Sequence, residues 1–314
     1  MSLLKNQSTL PVLALAGPTA VGKSEVALLL AQQLPGEIIS VDSMQVYRGL
    51  DIGTAKPSLA ERQTVPHHLI DTVEITDSFD AAQFAQHARQ LIPEIQARGR
   101  VPILCGGTGL YFKALLAGLG PAPPSQPALR AQLELVPLPR LLDELALRDP
   151  QTFERIDRQN PRRVIRALEV VRLTGKPFAD QRADWQLPPS ERLVPQSCCF
   201  GLSRTPADLQ ARIERRVDKM FQLGLIEETR RLLDLGLAQN RTALQAIGYR
   251  QVTDYLAGGR SLADTVTLVK QATRQLAKRQ MSWFRRQMAM TWLSVTHEAS
   301  AERTLEKLRA ALPG

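Results

Sequence analysis

In the first 120 residues short apolar runs alternate with helix-forming stretches. Val12-Leu13-Ala14-Leu15-Ala16, Glu37-Ile38-Ile39-Ser40-Val41 and Val101-Pro102-Ile103-Leu104-Cys105 are nearly continuous in apolar residues. That is the pattern of strands covered on both faces. His68-Leu69-Ile70-Asp71 predicts a further short strand. Between the strands, Glu25-Val26-Ala27-Leu28-Leu29-Leu30-Ala31 favours helix, and Asp80 is placed to cap a helix from about Ala81 to Arg98. Gly99 stops that helix, and Pro93 inside it predicts a kink. Alternation of this kind predicts a parallel sheet with helices on both faces, with ligands at the carboxyl ends of the strands. Gly17 to Ser24, Asp42 and Gly106 to Gly109 all fall at those ends.

The pattern changes at Pro121-Ala122-Pro123-Pro124-Ser125-Gln126-Pro127, a linker-like break. Beyond it the periodicity is helical. Asn160 with Pro161 starts a helix that Gly175 closes, with Val164, Leu168 and Val171 as its apolar stripe and Arg162, Arg163 and Arg166 largely opposite. A second proline-containing stretch runs from Leu187 to Pro195. Ser197 to Leu202 then predicts a strand returning to the sheet, and Thr205-Pro206 starts a long helix with Leu209, Ile213, Val217 and Met220 on one face. Arg212, Arg215 and Arg216 ride on that helix, and Gly224 and Gly236 punctuate the chain beyond it. Ser261 with Asp264 starts another long helix that runs into Lys278-Arg279-Gln280-Met281-Ser282-Trp283-Phe284-Arg285-Arg286. The division expected is a core of residues 1–121 and 197–314, with 122–196 as a helical insertion.

Charge sharpens this picture. Of the 314 residues, Lys and Arg outnumber Asp and Glu by 40 to 31, and the first 120 residues, with 9 against 10, supply none of the excess. The basic charge lies in the rest of the chain, where a phosphate-rich macromolecule is a natural partner. A generally basic, solvated surface would give the same count. The three cysteines lie in apolar runs without a C-x-x-C pair, which points to a reducing compartment and no structural zinc. No apolar segment approaches membrane-spanning length and the N-terminus lacks a signal-peptide pattern, so a cytoplasmic protein with no membrane partner is expected.

Candidate chemistry centres on Gly17-Pro18-Thr19-Ala20-Val21-Gly22-Lys23-Ser24, a Gly-x-x-x-x-Gly-Lys-Ser motif between a strand and a helix. Its glycines let successive N–H groups face one concavity at a helix N-terminus. Lys23 adds a positive charge, and Ser24 offers a hydroxyl to a magnesium ion carried on phosphates. Read alone, the motif says ATP. Asp42 ends the neighbouring strand, where a carboxylate could take a proton from a nucleophile, hold magnesium through water, or merely cap a turn. Ser43 and Gln45 beside it suit a base edge or a polar turn. In Lys278 to Arg286, cations for phosphate are interleaved with Trp283 and Phe284 for stacking, although a basic helix with two core aromatics reads the same way.

Seven stretches in fixed order carry a resemblance. They are Gly17 to Ser24, Ser40 to Tyr47, Asp51-Ile52-Gly53-Thr54-Ala55-Lys56-Pro57, Gly106 to Tyr111, Arg166-Ala167-Leu168-Glu169-Val170, Ala246-Ile247-Gly248-Tyr249-Arg250, and Lys278-Arg279-Gln280 with Trp283-Phe284-Arg285. Together they resemble the bacterial tRNA dimethylallyltransferase family, also called tRNA isopentenyltransferases. The resemblance implies a P-loop NTPase-like core with a smaller all-helical insertion. It also implies transfer of a dimethylallyl group from dimethylallyl diphosphate to the exocyclic amine of the adenosine 3′ of the anticodon. In that reading Thr19, Lys23, Ser24 and the rest of the loop hold the pyrophosphate with Mg2+, Arg216 closes over it, and Asp42 is the general base. The path of the tRNA anticodon stem-loop is implied along Asp42, Ser43, Met44, Gln45, Thr108, Arg130, Arg162, Arg163, Val164, Ile165, Arg166, Gln245 to Arg250, and Lys278 to Arg285. A monomer is expected. The alternatives are a nucleoside kinase or NTPase, or an RNA-binding protein with a regulatory nucleotide site.

Overall fold

The computed structural model describes residues 10–181, 193–297 and 299–312. These fall into two compact units, one from residues 10–116 with 193–312 and the other from residues 117–181.

In the first unit β1 (Leu13–Ala16), α1 (Lys23–Gln33), β2 (Gly36–Val41), α2 (Leu59–Thr64), β3 (His67–His68), α3 (Ala81–Ala97), β4 (Val101–Gly106) and α4 (Gly109–Ala117) follow one another. The strands of a six-stranded sheet, completed by β5 (Cys199–Ser203) and β6 (Thr291–Ser294), take the order β3-β2-β4-β1-β5-β6, and every pair is parallel. β1, β2 and β4 are buried at every position, so both faces of the sheet are covered. Asp80 caps α3, its carboxylate accepting the N–H groups of Ala82 and Gln83, and the helix continues through Pro93.

Two expectations need correction. The strand expected at His68 to Asp71 is only His67–His68, because Leu69 at φ +59° and Asp71 at φ +53° turn the chain into the left-handed region. The strand expected from Ser197 begins at Cys199, after a 3-10 turn over Gln196–Cys198.

The second unit consists of α5 (Pro127–Glu134), α6 (Leu138–Arg148), α7 (Pro150–Arg155) and α8 (Pro161–Thr174) around Leu133, Leu141, Leu145, Val164, Ile165 and Leu168. Asn160 caps α8, and Gly175 ends it at φ +67°. Glu169 is fully buried in this unit and accepts from Ser125 Oγ (2.6 Å), Gln126 N–H (2.7 Å) and Arg166 (2.9 Å). Burial works against its ionisation, yet hydrogen bonds from Ser125 and Arg166 hold its carboxyl below the usual range. Of the proline-containing stretch expected from Leu187 to Pro195, residues 187–192 lie outside the described residues.

After β5 the first unit continues with α9 (Pro206–Gln222), α10 (Leu225–Asp234), α11 (Tyr249–Leu256), α12 (Leu262–Gln287) and α13 (Ala301–Ala310). Thr205 and Ser261 cap α9 and α12 as expected.

Candidate active site

β1 ends at Ala16, and the chain turns into α1 through the phosphate-loop motif. Gly17 at φ +151° and Gly22 at φ +104° hold backbone angles that favour glycine. A Cβ on Gly17 would also stand 2.8 Å from the carbonyl oxygen of Leu202 in β5. Ala20 adopts φ +63° within the same turn. The result is a concavity at the N-terminus of α1, whose first N–H groups have no helical acceptor.

Three side chains carry the charge of the crevice. Lys23 donates to Pro18 O at 2.7 Å. Burial pushes its ammonium down to about 8; neighbouring Cys105 and Asp42 oppose the shift and Arg216 adds to it. Arg216, on α9, donates to Thr54 O at 3.4 Å, and burial lowers its pKa while Asp42 counters. Asp42 caps its own turn through Oδ1, which accepts from Met44 N–H at 2.9 Å and Gln45 N–H at 3.4 Å. Its other oxygen takes no part in that turn. Thr19, Lys23, Ser24, Asp42, Met44 and Arg216 all line one cavity.

The rest of its wall is part polar and part apolar, with Ser40, Gln45, Thr54, Thr273 and Gln280 among its polar residues. Val217 and Met220 of α9, Ala246 and Ile247 before α11, and Val269 and Leu276 of α12 supply apolar surface to it. Cations and apolar side chains lining one cavity suit a small amphiphile whose head is a diphosphate. Among the described residues no group of three or more His, Cys, Asp or Glu could hold a metal ion by itself. The donors that are present, the Ser24 hydroxyl and the Asp42 carboxylate, are hard oxygens suited to magnesium carried in by phosphates.

The glycines of Gly106-Gly107-Thr108-Gly109 serve packing. Gly107 leaves room for the Gln280 amide and Gly109 for the Trp283 ring, both from α12, while Gly106 lies against the Val41 carbonyl. Gln280 then joins two strand ends, accepting from Thr19 N–H and donating to Gly107 O, each at 2.9 Å. Gln45 is likewise committed. Its Oε1 accepts from Ser40 Oγ (2.8 Å) and its Nε2 donates to Thr54 O (3.2 Å), which is the polar-turn role expected beside Asp42. Ser43 N–H donates to Thr108 Oγ1 at 3.1 Å, tying the Asp42 turn to the end of β4.

The other expected tRNA contacts divide by exposure. Gln245, Arg250, Lys278, Arg279, Ser282 and Arg285 are exposed on the first unit, with Met281 and Trp283 half-buried. Arg162 and Arg163 are exposed on the second unit, where Arg130 is half-buried beside Glu134. Val164, Ile165, Gly248, Tyr249 and Phe284 are buried in the cores of their units, so they support the surface and do not form it. Arg166 is spent on Glu169 and Pro123 O (2.6 Å), because buried Glu169 needs a cation.

Four residues have roles the sequence did not indicate. Glu228 accepts from Ile52 N–H and from the Tyr249 hydroxyl. Lys56, almost fully buried, pairs with Asp51 and Asp71. These contacts fix the segment that brings Thr54 to Arg216. Arg204 and Arg212 donate to carbonyls of the phosphate loop, at Val21 O and Ala20 O, each at 2.9 Å, and neither lines the cavity. For Arg212 the available signal was its place on α9 beside the apolar stripe, whereas Arg204 precedes that helix.

Comparison with known proteins shows the family. The family described as IPPT, IPP transferase, matches residues 45–287. A tRNA dimethylallyltransferase of Pelotomaculum thermopropionicum is 42% identical, with 97% of each chain covered. One of Trichlorobacter lovleyi is 46% identical over 90% of this chain and 93% of its own. Among solved structures, the full-length tRNA isopentenylpyrophosphate transferase of Bacillus halodurans superposes with a TM-score of 0.68 at 40% identity, covering 96% and 95% of the two chains. A eukaryotic dimethylallyltransferase acting on tRNA gives a TM-score of 0.77 at 27% identity, covering 97% of this chain and 80% of that one.

Proposed function

This chain belongs to the tRNA dimethylallyltransferase family, enzymes that prenylate tRNA on a P-loop NTPase-like fold, and on that premise we propose how its crevice performs the transfer. The donor is dimethylallyl diphosphate, and the acceptor is the exocyclic amine of the adenosine 3′ of the anticodon. The observation that carries this reading is one cavity lined both by Lys23 and Arg216 and by Val217, Met220, Ile247, Val269 and Leu276. The cations suit the diphosphate. The apolar side chains suit the hydrocarbon.

In this mechanism the amine nitrogen bonds to the allylic carbon, and the bond from that carbon to the diphosphate oxygen breaks. Pyrophosphate departs with the electron pair. Charge that develops on it is met by the loop N–H groups, Lys23 and Arg216, which are in place before the reaction. The Asp42 oxygen that is free of the turn accepts the proton lost by the amine. Thr19 and Ser24 line the same cavity and in this reading contact the departing group. Magnesium, when bound, neutralises part of the diphosphate charge, and Ser24 is the hydroxyl that would hold it. The target adenine has to leave the anticodon-loop stack to enter the crevice, at a cost of a few kcal/mol. Exposed cations on both units, among them Arg250, Lys278, Arg162 and Arg163, favour the phosphate-rich stem-loop that repays it.

The protein acts as a cytoplasmic monomer in this reading. No helix among the described residues is long and apolar enough to cross a membrane. The test is pyrophosphate release. It is expected only when dimethylallyl diphosphate, tRNA and magnesium are all present. ATP turnover in the absence of the allylic donor would overturn the reading in favour of a kinase or NTPase.

A further inference from the structure

The outer face of the phosphate loop is held by two arginines that do not enter the crevice. Arg212 Nε donates to Ala20 O at 2.9 Å, and Arg204 Nε donates to Val21 O at 2.9 Å. Both guanidinium groups flank Gly22: a Cβ there would lie 3.7 Å from Arg204 Nη2 and 3.9 Å from Arg212 Nη2. Arg204 is itself fixed. Its side chain is 4% exposed, pairs with Asp208 at 2.7 Å and donates to Thr296 O at 3.0 Å. Arg212 has a looser partner in Glu25 at 3.8 Å.

Peptide geometry gives these contacts their consequence. Every described peptide is trans, so the carbonyl of one residue and the N–H of the next point in opposite directions. Drawing Ala20 O outward turns the Val21 N–H inward, and drawing Val21 O outward does the same for the Gly22 N–H. Ala20 meanwhile sits at φ +63°, where a residue with a Cβ needs outside support. The other end of the loop is arranged differently, with Pro18 O accepting from Lys23 and Thr19 N–H donating to Gln280. The inward N–H groups are therefore those whose carbonyl partners the two arginines hold.

We propose that Arg204 and Arg212 are positioning residues for the transfer reaction, fixing the Val21 and Gly22 amides toward the departing pyrophosphate. Arg212 and Arg216 stand one helical turn apart on α9, so one helix braces the loop from outside and supplies a cation inside the crevice. The proposal rests on the loop being a pyrophosphate site.

Arg212→Met tests it, because this side chain is 28% exposed and its stem length is kept. The probe is inorganic pyrophosphate, titrated calorimetrically into the full chain with magnesium. Binding is expected to weaken about tenfold, the worth of one charge-assisted hydrogen bond. The turnover number should fall by a similar factor, with tRNA affinity and melting temperature unchanged. The ratio between wild type and variant should persist from low to high salt, since orientation of an amide is not screened. A ratio that collapses to one at high salt would reduce Arg212 to a distant charge and overturn the proposal. So would equal pyrophosphate affinities. Failure of the wild-type protein to bind pyrophosphate would instead overturn the reading of the loop. Arg204→Met is expected to show the same pattern, and Arg212→Met decides the question alone if the more buried Arg204 proves necessary for folding.

Discussion

The hydroxyl of Tyr249 donates to Glu228 at 2.6 Å, and the same hydroxyl accepts the Gly53 N–H at 3.0 Å. Glu228 takes the neighbouring Ile52 N–H as well, at 3.0 Å. Gly53 is the residue this packing admits, because a Cβ there would fall onto the Tyr249 ring. Burial pushes the pKa of both Glu228 and Tyr249 up. The pair lies outside the crevice, but it fixes the segment whose Thr54 carbonyl meets Gln45 and Arg216.

Tyr249→Phe should therefore act in two ways. It leaves the Gly53 N–H without its acceptor and removes a donor from buried Glu228, which costs about 1–3 kcal/mol of stability. Thermal melting measures that loss. Steady-state kinetics should show kcat/KM for the allylic donor falling while the affinity for tRNA is retained.

Lys23 sets an alkaline limit. In the free enzyme its ammonium loses its proton above about 8, well below the usual lysine value, because burial disfavours the charged form. A diphosphate favours the protonated state. kcat/KM for the donor should be level below a pH of about 8 and decline above it. Lys23→Arg stays charged throughout, and its profile should lack that limb even at a lower overall rate.

Asp42→Asn keeps an oxygen to accept from Met44 and Gln45, so the turn after β2 should survive. What it removes is the proton acceptor. Turnover should fall by about 10²–10⁴-fold, with tRNA affinity within a factor of about two of wild type. Filter binding of tRNA alongside single-turnover transfer separates the two effects.

Lys278 is exposed on α12 and is expected to meet a phosphate of the stem-loop. Lys278→Ala should weaken tRNA binding modestly at every sequence tested. It should also reduce the slope of log Kd against log salt by about one contact.

The central strands were legible because a strand covered on both faces has to be apolar throughout, as Leu13–Ala16 and Val101–Gly106 are. The phosphate loop was legible because its glycines and lysine are set by local backbone angles. β6 gave no such signal. It lies at the sheet edge, and Thr291–Ser294 is exposed or half-buried along its length. Gly106 and Gly107 line the cavity, as their place at the end of β4 suggested, but the packing role of Gly107 and Gly109 was not legible. Their freedom is used to admit Gln280 and Trp283 from a helix distant in sequence, a contact that no local pattern encodes. Arg166 and Gln45 looked available as polar groups within the motif stretches, yet each is committed to partners within its own unit. The crevice was readable where chemistry depends on local geometry, and less so where side chains serve tertiary support.

The most direct measurement is mass spectrometry of the nucleosides in tRNA that has been incubated with dimethylallyl diphosphate, magnesium and this protein. The account predicts one new modified adenosine, carrying a dimethylallyl group on its exocyclic amine and mapping to the position 3′ of the anticodon. Unmodified tRNA recovered from a reaction in which the protein binds both donor and tRNA would contradict it.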